Sequence, residues 1–390
     1  MRTSVKLTLM LSVACNTAIA AEGFPAGPAR VYPEIGLTFL HNDNILSRSQ
    51  EEKGSFVTIL SPRARLEHKQ RANTYGLDFG MDYGHYFSSS DDDYVDVQLG
   101  GEADWQIDRR SSFRLNADYL RGHDPRGSTD RGKTDEPDTW DSKGINGLFS
   151  YGMPRARIRL EGEAGYVAKR YKDFSRSEKT DDNDQKGLTG RVFYRVLPKT
   201  HLFLEADYTV VDYKLAATTL DSDVFGLSLG TEWRATAKTT GRAKLGYLRK
   251  AFDSDKHDDF NGVSWQVAVQ WKPLSRSTID IATGRYTTET TGVGDYLLTR
   301  DLSVTGTQVF APRLSGSMGF YLAKTDFPQK IADPRGERSD DTRRFSLSVG
   351  YDFLKWASVN GGVNFTDRDS NRDTDDYDQR TIFVTLKAQF

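Results

Sequence analysis

From residue 75 to 84 the chain reads YGLDFGMDYG. Large apolar or aromatic side chains (Tyr75, Leu77, Phe79, Met81, Tyr83) alternate with Gly76, Asp78, Gly80, Asp82 and Gly84. Successive side chains of a strand point to opposite faces, so this period of two predicts a strand with one greasy and one wet face. The same alternation returns in Val95–Ile107, Ala156–Tyr166, Leu202–Thr209, Phe225–Trp233, Val263–Trp271 and Phe345–Phe353. About 18 such segments follow one another roughly 20 residues apart, as repeated ten-residue membrane-barrel strands do.

The connections alternate as well. One set is short and carries Pro, Lys or Arg, as in Met153-Pro154-Arg155, Leu197-Pro198-Lys199, Lys272-Pro273-Leu274-Ser275 and Ala311-Pro312-Arg313. The other is longer and acidic: Ser88–Asp93, Arg121–Lys143, Asp173–Gln185, Asp253–Asp259, Asp326–Asp341 and Thr366–Asp378. Short turns at one end and long loops at the other are the habit of outer-membrane barrels. A sandwich of so many strands would keep two open edges, whereas closing the sheet removes them and lets lipid cover the apolar face. Nine residues of strand rise about 30 Å, or roughly 23 Å along the membrane normal at a tilt near 40°. The expected fold is therefore all-β: a transmembrane, antiparallel, up-and-down barrel of about 18 strands, with Tyr75–Tyr83 against lipid and the aspartates inside.

The ends agree with that reading. Met1–Ala20 has a basic start (Arg2, Lys6), an apolar run and a small-residue site at Ala18-Ile19-Ala20, which predicts a cleaved signal peptide over 1–20. Residues 21–30 then form a periplasmic N-terminal segment and 31–390 the barrel. Cys15, the one cysteine, falls in the signal peptide, so disulfides are not expected to hold the mature chain. The last segment, TIFVTLKAQF, places Ile382, Val384, Leu386, Ala388 and Phe390 on one face. It resembles the C-terminal strand of bacterial outer-membrane barrels, and that resemblance implies that Phe390 is an assembly signal read by the barrel-assembly machinery.

A formal net charge of −2 over 390 residues argues against a nucleic-acid partner. Charges at inward-expected positions are the pore-lining candidates. They are Arg63, Arg65 and Glu67; Asp78 and Asp82; Glu102 and Asp104; Arg157, Arg159, Glu161 and Glu163; and Arg191 with Arg195. Such residues can brace the wall as ion pairs or form a constriction that touches an anionic solute, and a barrel of this size is wide enough for water. Phe203, Tyr286 and Tyr321 are inward aromatic candidates. Asp367, Asp369 and Asn371 have the first ligand spacings of a calcium loop, but Arg372 stands where the turn glycine belongs. His123-Asp124 and His257-Asp258 have no serine motif beside them, so no catalytic residue is assigned. No enzyme activity, cofactor or metal is expected. Outer-membrane lipid and lipopolysaccharide are the expected surroundings.

Three elements carry a closer resemblance: Pro33–Leu37, the turn His41-Asn42-Asp43-Asn44-Ile45-Leu46, and Ser61-Pro62 followed by Arg63–Glu67. They resemble the putative beta-barrel porin 2 family, in which an N-D-N-[IV] turn follows the first strand and an S-P element occurs in the second. The likeness is firm over Val31–Arg126 and becomes a shared strand pattern beyond. It implies a passive conduit for an exopolysaccharide or capsular polysaccharide, working with a periplasmic polysaccharide-export protein. The residues themselves leave two alternatives open, a diffusion porin for small hydrophilic solutes and a mainly structural barrel.

Overall fold

Strands that are greasy on one face only must hide that face or give it to lipid. Here they follow one another as hairpins until the sheet closes. The computed structural model describes residues 22–128, 135–153, 156–172, 181–215, 217–234, 238–290, 292–330 and 336–390. The signal peptide expected over 1–20 lies outside the described residues. The strands are β1 (Phe24–Ala26), β2 (Ala29–Asn42), β3 (Ser55–Gln70), β4 (Asn73–Tyr86), β5 (Tyr94–Gln106), β6 (Ser111–Asp124), β7 (Asp138–Tyr151), β8 (Ile158–Tyr171), β9 (Asn183–Leu197) and β10 (Thr200–Tyr213). They continue as β11 (Ser222–Trp233), β12 (Thr239–Phe252), β13 (Phe260–Trp271), β14 (Ser277–Thr288), β15 (Leu297–Ala311), β16 (Leu314–Phe327), β17 (Arg338–Tyr351), β18 (Ala357–Ser370) and β19 (Tyr377–Gln389). Each of β2–β19 pairs antiparallel with its neighbours in sequence, and β19 pairs with β2, so these 18 strands form a closed barrel. The short β1 folds back on the start of β2 as a hairpin, with Phe24 opposite Val31. Strand structure thus begins inside the segment 21–30 that the sequence reading leaves as an N-terminal tail.

The seam between β19 and β2 runs from Thr381 opposite Asn42 to Gln389 opposite Glu34. Lys387 and Glu34 form an ion pair of 2.7 Å, and the Thr38 and Thr385 hydroxyls meet at 2.8 Å. Leu40, Val57 and Phe383 form a buried apolar cluster beside this seam. The Phe390 N–H donates to the Pro33 carbonyl at 3.1 Å, and its ring stacks on Trp356 with centroids 5.5 Å apart.

The faces divide as the alternation requires. Leu77, Phe79 and Tyr83 are exposed on the outside, as are Val95, Leu99, Leu227 and Leu229. Phe193 and Phe203 are buried on the inward side. The connections alternate in length too, from Arg71–Ala72 between β3 and β4 to the twelve residues 43–54 between β2 and β3. Four acidic stretches are shorter as loops than the sequence suggests: Asn183–Gln185 already belongs to β9, and Asp326–Phe327 and Arg338–Asp341 belong to β16 and β17. Arg121–Asp124 belongs to β6 and Asp138–Lys143 to β7, so the strands run further toward the long-loop end. Thr366–Ser370 likewise belongs to β18, so Asp367 and Asp369 lie on a strand and not in a calcium-type loop.

Short turns are fixed by their own polar groups. In the turn between β5 and β6, Asp108 Oδ1 accepts from the backbone N–H of Arg110 at 2.6 Å and of Ser111 at 2.9 Å. These donors, Arg110 first, hold the Asp108 carboxyl below its ordinary value. A depressed folded value stabilises the turn fully above the ordinary carboxylate pKa and less as pH falls through the depressed one. Amide protection at Arg110 and Ser111 should therefore fall below about pH 4, and in Asp108→Asn it should no longer depend on pH in that range.

Candidate functional site: the inner wall and the mouth

The glycines of YGLDFGMDYG make room for arginines. Arg65 of β3 stands directly opposite Asp78 of β4, and Arg63 stands opposite Gly80. A Cβ at Gly80 would lie 2.6 Å from an Arg63 guanidinium nitrogen, and one at Gly76 would lie 2.8 Å from the Glu102 side chain. With that space free, Arg63 lies flat and holds Asp82 with two bonds of 2.8 and 3.0 Å, and Ser61 donates to the same carboxylate at 2.6 Å. Arg65 holds Asp78 at 2.8 Å and also reaches Glu102 on β5. Glu67 pairs with Lys69 at 2.6 Å, and Arg114 of β6 pairs with Asp104. Every candidate on these strands is bound to an opposite charge, and both arginines keep more than a third of their side chain exposed.

A denser cluster occupies β8–β12. Phe193 and Phe203 lie side by side with ring centroids 5.4 Å apart. The Arg159 guanidinium covers Phe193 at 3.9 Å, and that of Arg242 covers Phe203 at 4.3 Å. Arg159 reaches on past two strands to Glu232 of β11 at 2.8 Å, and it meets Glu161 at 3.3 Å. This contact over β9 and β10 is possible only from the concave side, which fixes the inward face. Glu205 is the hub, receiving Arg191 at 2.6 Å, Lys244 at 2.6 Å and Arg242 at 3.0 Å. Arg191 also holds Glu163 at 2.7 Å. Planar guanidinium groups suit such shared contacts because they donate in fixed directions to several carboxylates and stack on rings.

Two candidates sit differently. Arg157 precedes β8, is exposed at the short-turn end, and carries its guanidinium 5.6 Å from the centroid of the outward Tyr194 ring. β8 begins at Ile158, so the alternation that places Arg159 on the wall carries Arg157 beyond the strand to the short-turn rim. Arg195 stands opposite His201 on the wall, and among the described residues it has no carboxylate partner. Sequence reasoning missed Glu205, Glu232, Arg242 and Lys244 as members of the cluster. Their signal was present, since Arg242-Ala243-Lys244 places two cations on one face of a strand.

At the long-loop end the loops turn inward. Asn44, the last Asn of the N-D-N turn, is fully buried. Its side-chain amide donates to the carbonyls of Arg48 at 2.7 Å and Asp378 at 2.8 Å, while its Oδ1 accepts from the Arg48 N–H at 3.1 Å. This pins residues 43–54 to the far side of the seam and buries Ile45 and Leu46. A Cβ at Gly127 would touch the Leu46 carbonyl, so this loop meets the one after β6, four strands away. Arg126 of that second loop pairs with Asp92 of the loop between β4 and β5, a bond that holds the guanidinium charge more firmly. On the wall formed by β10–β14, Glu289, just past the end of β14, reaches Lys250 on β12 at 2.7 Å and Tyr213 on β10 at 2.9 Å. Lys250 is fully buried there and also donates to Ser222 at 2.8 Å.

His123 lies in β6 and not in a loop, 2.9 Å from Asp96. His257 is 2.9 Å from Asp295. Among the described residues no group of His, Cys, Asp and Glu is placed to hold a metal ion.

The sequence model of one family, putative beta-barrel porin 2, matches residues 17–390. The chain belongs to the putative beta-barrel porin 2 family. No curated protein matches it. Among solved structures it is similar to Pseudomonas aeruginosa OccK2 (OpdF), with a TM-score of 0.51 and 13% identity over 93% of this chain and 98% of that one. It is equally similar to P. aeruginosa OpdK with vanillate, at 0.51 and 13% over 92% and 99%. OccK2 with glucuronate gives 0.50 and 14% over 93% and 98%. At such identities the likeness is one of fold. This member of the porin 2 family is a porin-like channel of the bacterial outer membrane.

Proposed function

We propose that the barrel is a passive channel for small hydrophilic solutes, in preference to the conduit for exopolysaccharide or capsular polysaccharide that the family resemblance first implies. The inward packing of the mouth carries this reading. Asn44 ties one loop across the seam and onto Gly127, and Glu289 ties another to Lys250 and Tyr213. A polymer in transit needs a continuous wide bore, while a solute needs only a gap among these groups. The paired inner wall supports the same view. A wall of alternating charge offers many weak contacts to a polar solute, and conduction requires binding that is easy to leave. Two of the fold neighbours are seen with vanillate and with glucuronate. That agrees in solute size, although the argument rests on the loops.

The test is permeation by size. Barrel reconstituted in liposomes should pass mono- and disaccharides and hold back long oligosaccharides. Equal permeation by long chains, together with loss of surface polymer when the protein is absent, would restore the polysaccharide reading.

A further inference from the structure

The ladder between β13 and β14 stops short of the long-loop end. β13 pairs with β12 along Phe260–Ser264, but its last pair with β14 is Trp265 opposite Arg285. Beyond that point β14 pairs with β15 alone, as far as Thr288 opposite Leu297. The end of β14 and the start of β15 therefore leave the wall together, as a two-stranded tip. An open strand edge presents backbone groups without ladder partners. Arg285 answers part of this need. Its guanidinium donates to the Val263 carbonyl and lies 5.4 Å from the Phe260 ring centroid, so it fills the cleft.

The tip turns inward. Glu289 passes over β13 to reach Lys250 on β12 at 2.7 Å and Tyr213 on β10 at 2.9 Å. Tyr296 and Leu298 pack with Phe260 in a buried cluster, and Leu248 and Phe252 lie against it. Leu248, Lys250 and Phe252 share a strand face with the lumenal Arg242 and Lys244, so the tip covers the inner side of β12 and β13. His257, between those strands, stands 2.9 Å from Asp295. The seat of the tip is thus a balance of two sets of contacts. Pairing along β13 is given up, and a charged pair and an apolar cluster are made beneath. Continuing the β13–β14 register one for one would place Val263 opposite Thr287 and Gly262 opposite Thr288.

We propose that this tip sets the size limit of the channel and has two seats, one folded over β12 and β13 as in this structure and one zipped onto β13 in the extended register. The inference rests on the small-solute reading and names the element that sorts by size. Elements with two discrete arrangements, each with its own contacts, are what gating transitions use. Zipping would return the β13 edge to a ladder and draw Glu289 and Tyr296 out of the bore. It would also let water reach Lys250, which is fully buried beneath the folded tip. Glu289 is the latch, because a buried ammonium without its carboxylate is strongly destabilising. Neutralising Glu289 therefore favours the zipped seat, where Lys250 is wet. Tyr296 is the second anchor and acts through apolar packing, so it can be removed without changing any charge.

Crosslinking of the purified, folded barrel would test it. Cys15, the one cysteine, lies in the expected signal peptide, so introduced pairs report alone. The pair V263C/T287C would be treated with a short, membrane-permeant, thiol-specific crosslinker. V269C/I281C, directly opposed in the existing ladder, is the positive control. V263C/T287C should react slowly by itself and at least about tenfold faster when combined with E289Q, the factor expected from losing a charge-assisted bond. Y296A should accelerate it as well. Heat-modifiable gel mobility reports folding of each variant. E289Q and Y296A should raise single-channel conductance and admit longer oligosaccharides, and crosslinked V263C/T287C should hold the larger conductance. No acceleration in either variant while the control reacts would overturn the movable tip. Faster crosslinking with unchanged conductance and size limit would overturn its role in sorting. Passage of long chains through the parent would count against the small-solute reading alone, because the crosslinking rates report the tip whatever permeates.

Discussion

Glu205→Gln should lower the stability of the folded barrel by about 3 kcal/mol, near the lower end of the range for breaking a buried ion pair, and turn its ion preference toward anions. The carboxylate is almost completely buried and receives Arg191, Arg242 and Lys244. Glutamine keeps the shape and one acceptor oxygen but removes the charge. Arg191 would retain Glu163 at 2.7 Å, whereas Arg242 and Lys244 would have no carboxylate this close. Arg242 is more than a third exposed and Lys244 a quarter, so water in the lumen offsets part of the loss. In the parent, Arg159, Arg191, Arg242 and Lys244 face Glu161, Glu163, Glu205 and Glu232, and the charges balance. Removing one carboxylate leaves a local positive charge on the wall. Denaturant unfolding of the refolded barrel reads the first effect, and the reversal potential in a salt gradient reads the second. If both stay at the parent's values, the cluster neither braces the wall nor sets the field of the lumen.

The strands were legible because lipid imposes a simple rule on them. One face must be apolar over the bilayer and the other may be wet, so Leu77, Phe79 and Leu99 announce themselves against Asp78 and Gly100. The glycines were legible as small residues, but their use was not. Gly80 matters because Arg63 lies across it, which needs the β3–β4 register as well as the sequence. Acidic composition does not by itself mark a loop, because charge is also tolerated on strand ends above the bilayer. Asp141 lies within β7 and is held by Arg121 and Lys172 on neighbouring segments, so a strand that rises past the bilayer can carry charge on its outward face. The hub at Glu205 escaped notice for a different reason. Arg159 and Glu232 are 73 residues apart, and only the curvature of a closed wall brings them together across two strands. The N-D-N turn identified the family, but its physical role, Asn44 clamping a loop across the seam, appears only in three dimensions. That role bears on what can pass the mouth, and the proposal of a small-solute channel rests on it.

Phe79→Arg should impair the barrel most among outward substitutions on β4. Phe79 is the centre of the ladder Tyr75, Leu77, Phe79, Met81 and Tyr83, with an amphipathic tyrosine at each end where the interface belongs. Its partners across the sheet are Ala64 and Leu99, so no carboxylate on the outward face is near enough to receive a guanidinium. A cation at mid-bilayer on the lipid face costs about 2–4 kcal/mol, and less toward either interface. The neighbouring Asp78→Asn changes a side chain on the other face. It weakens a pair with Arg65 in which both side chains are more than a third exposed, and Arg65 keeps Glu102, so a loss of less than about 1 kcal/mol is expected. The contrast isolates the face, since the two positions share a strand, a depth and a backbone environment. Refolding yield into lipid vesicles and denaturant midpoints for both variants would measure it. Two equal and small losses would mean that Phe79 does not meet lipid, and the division of the barrel into a lipid face and a wet face would fail at its centre.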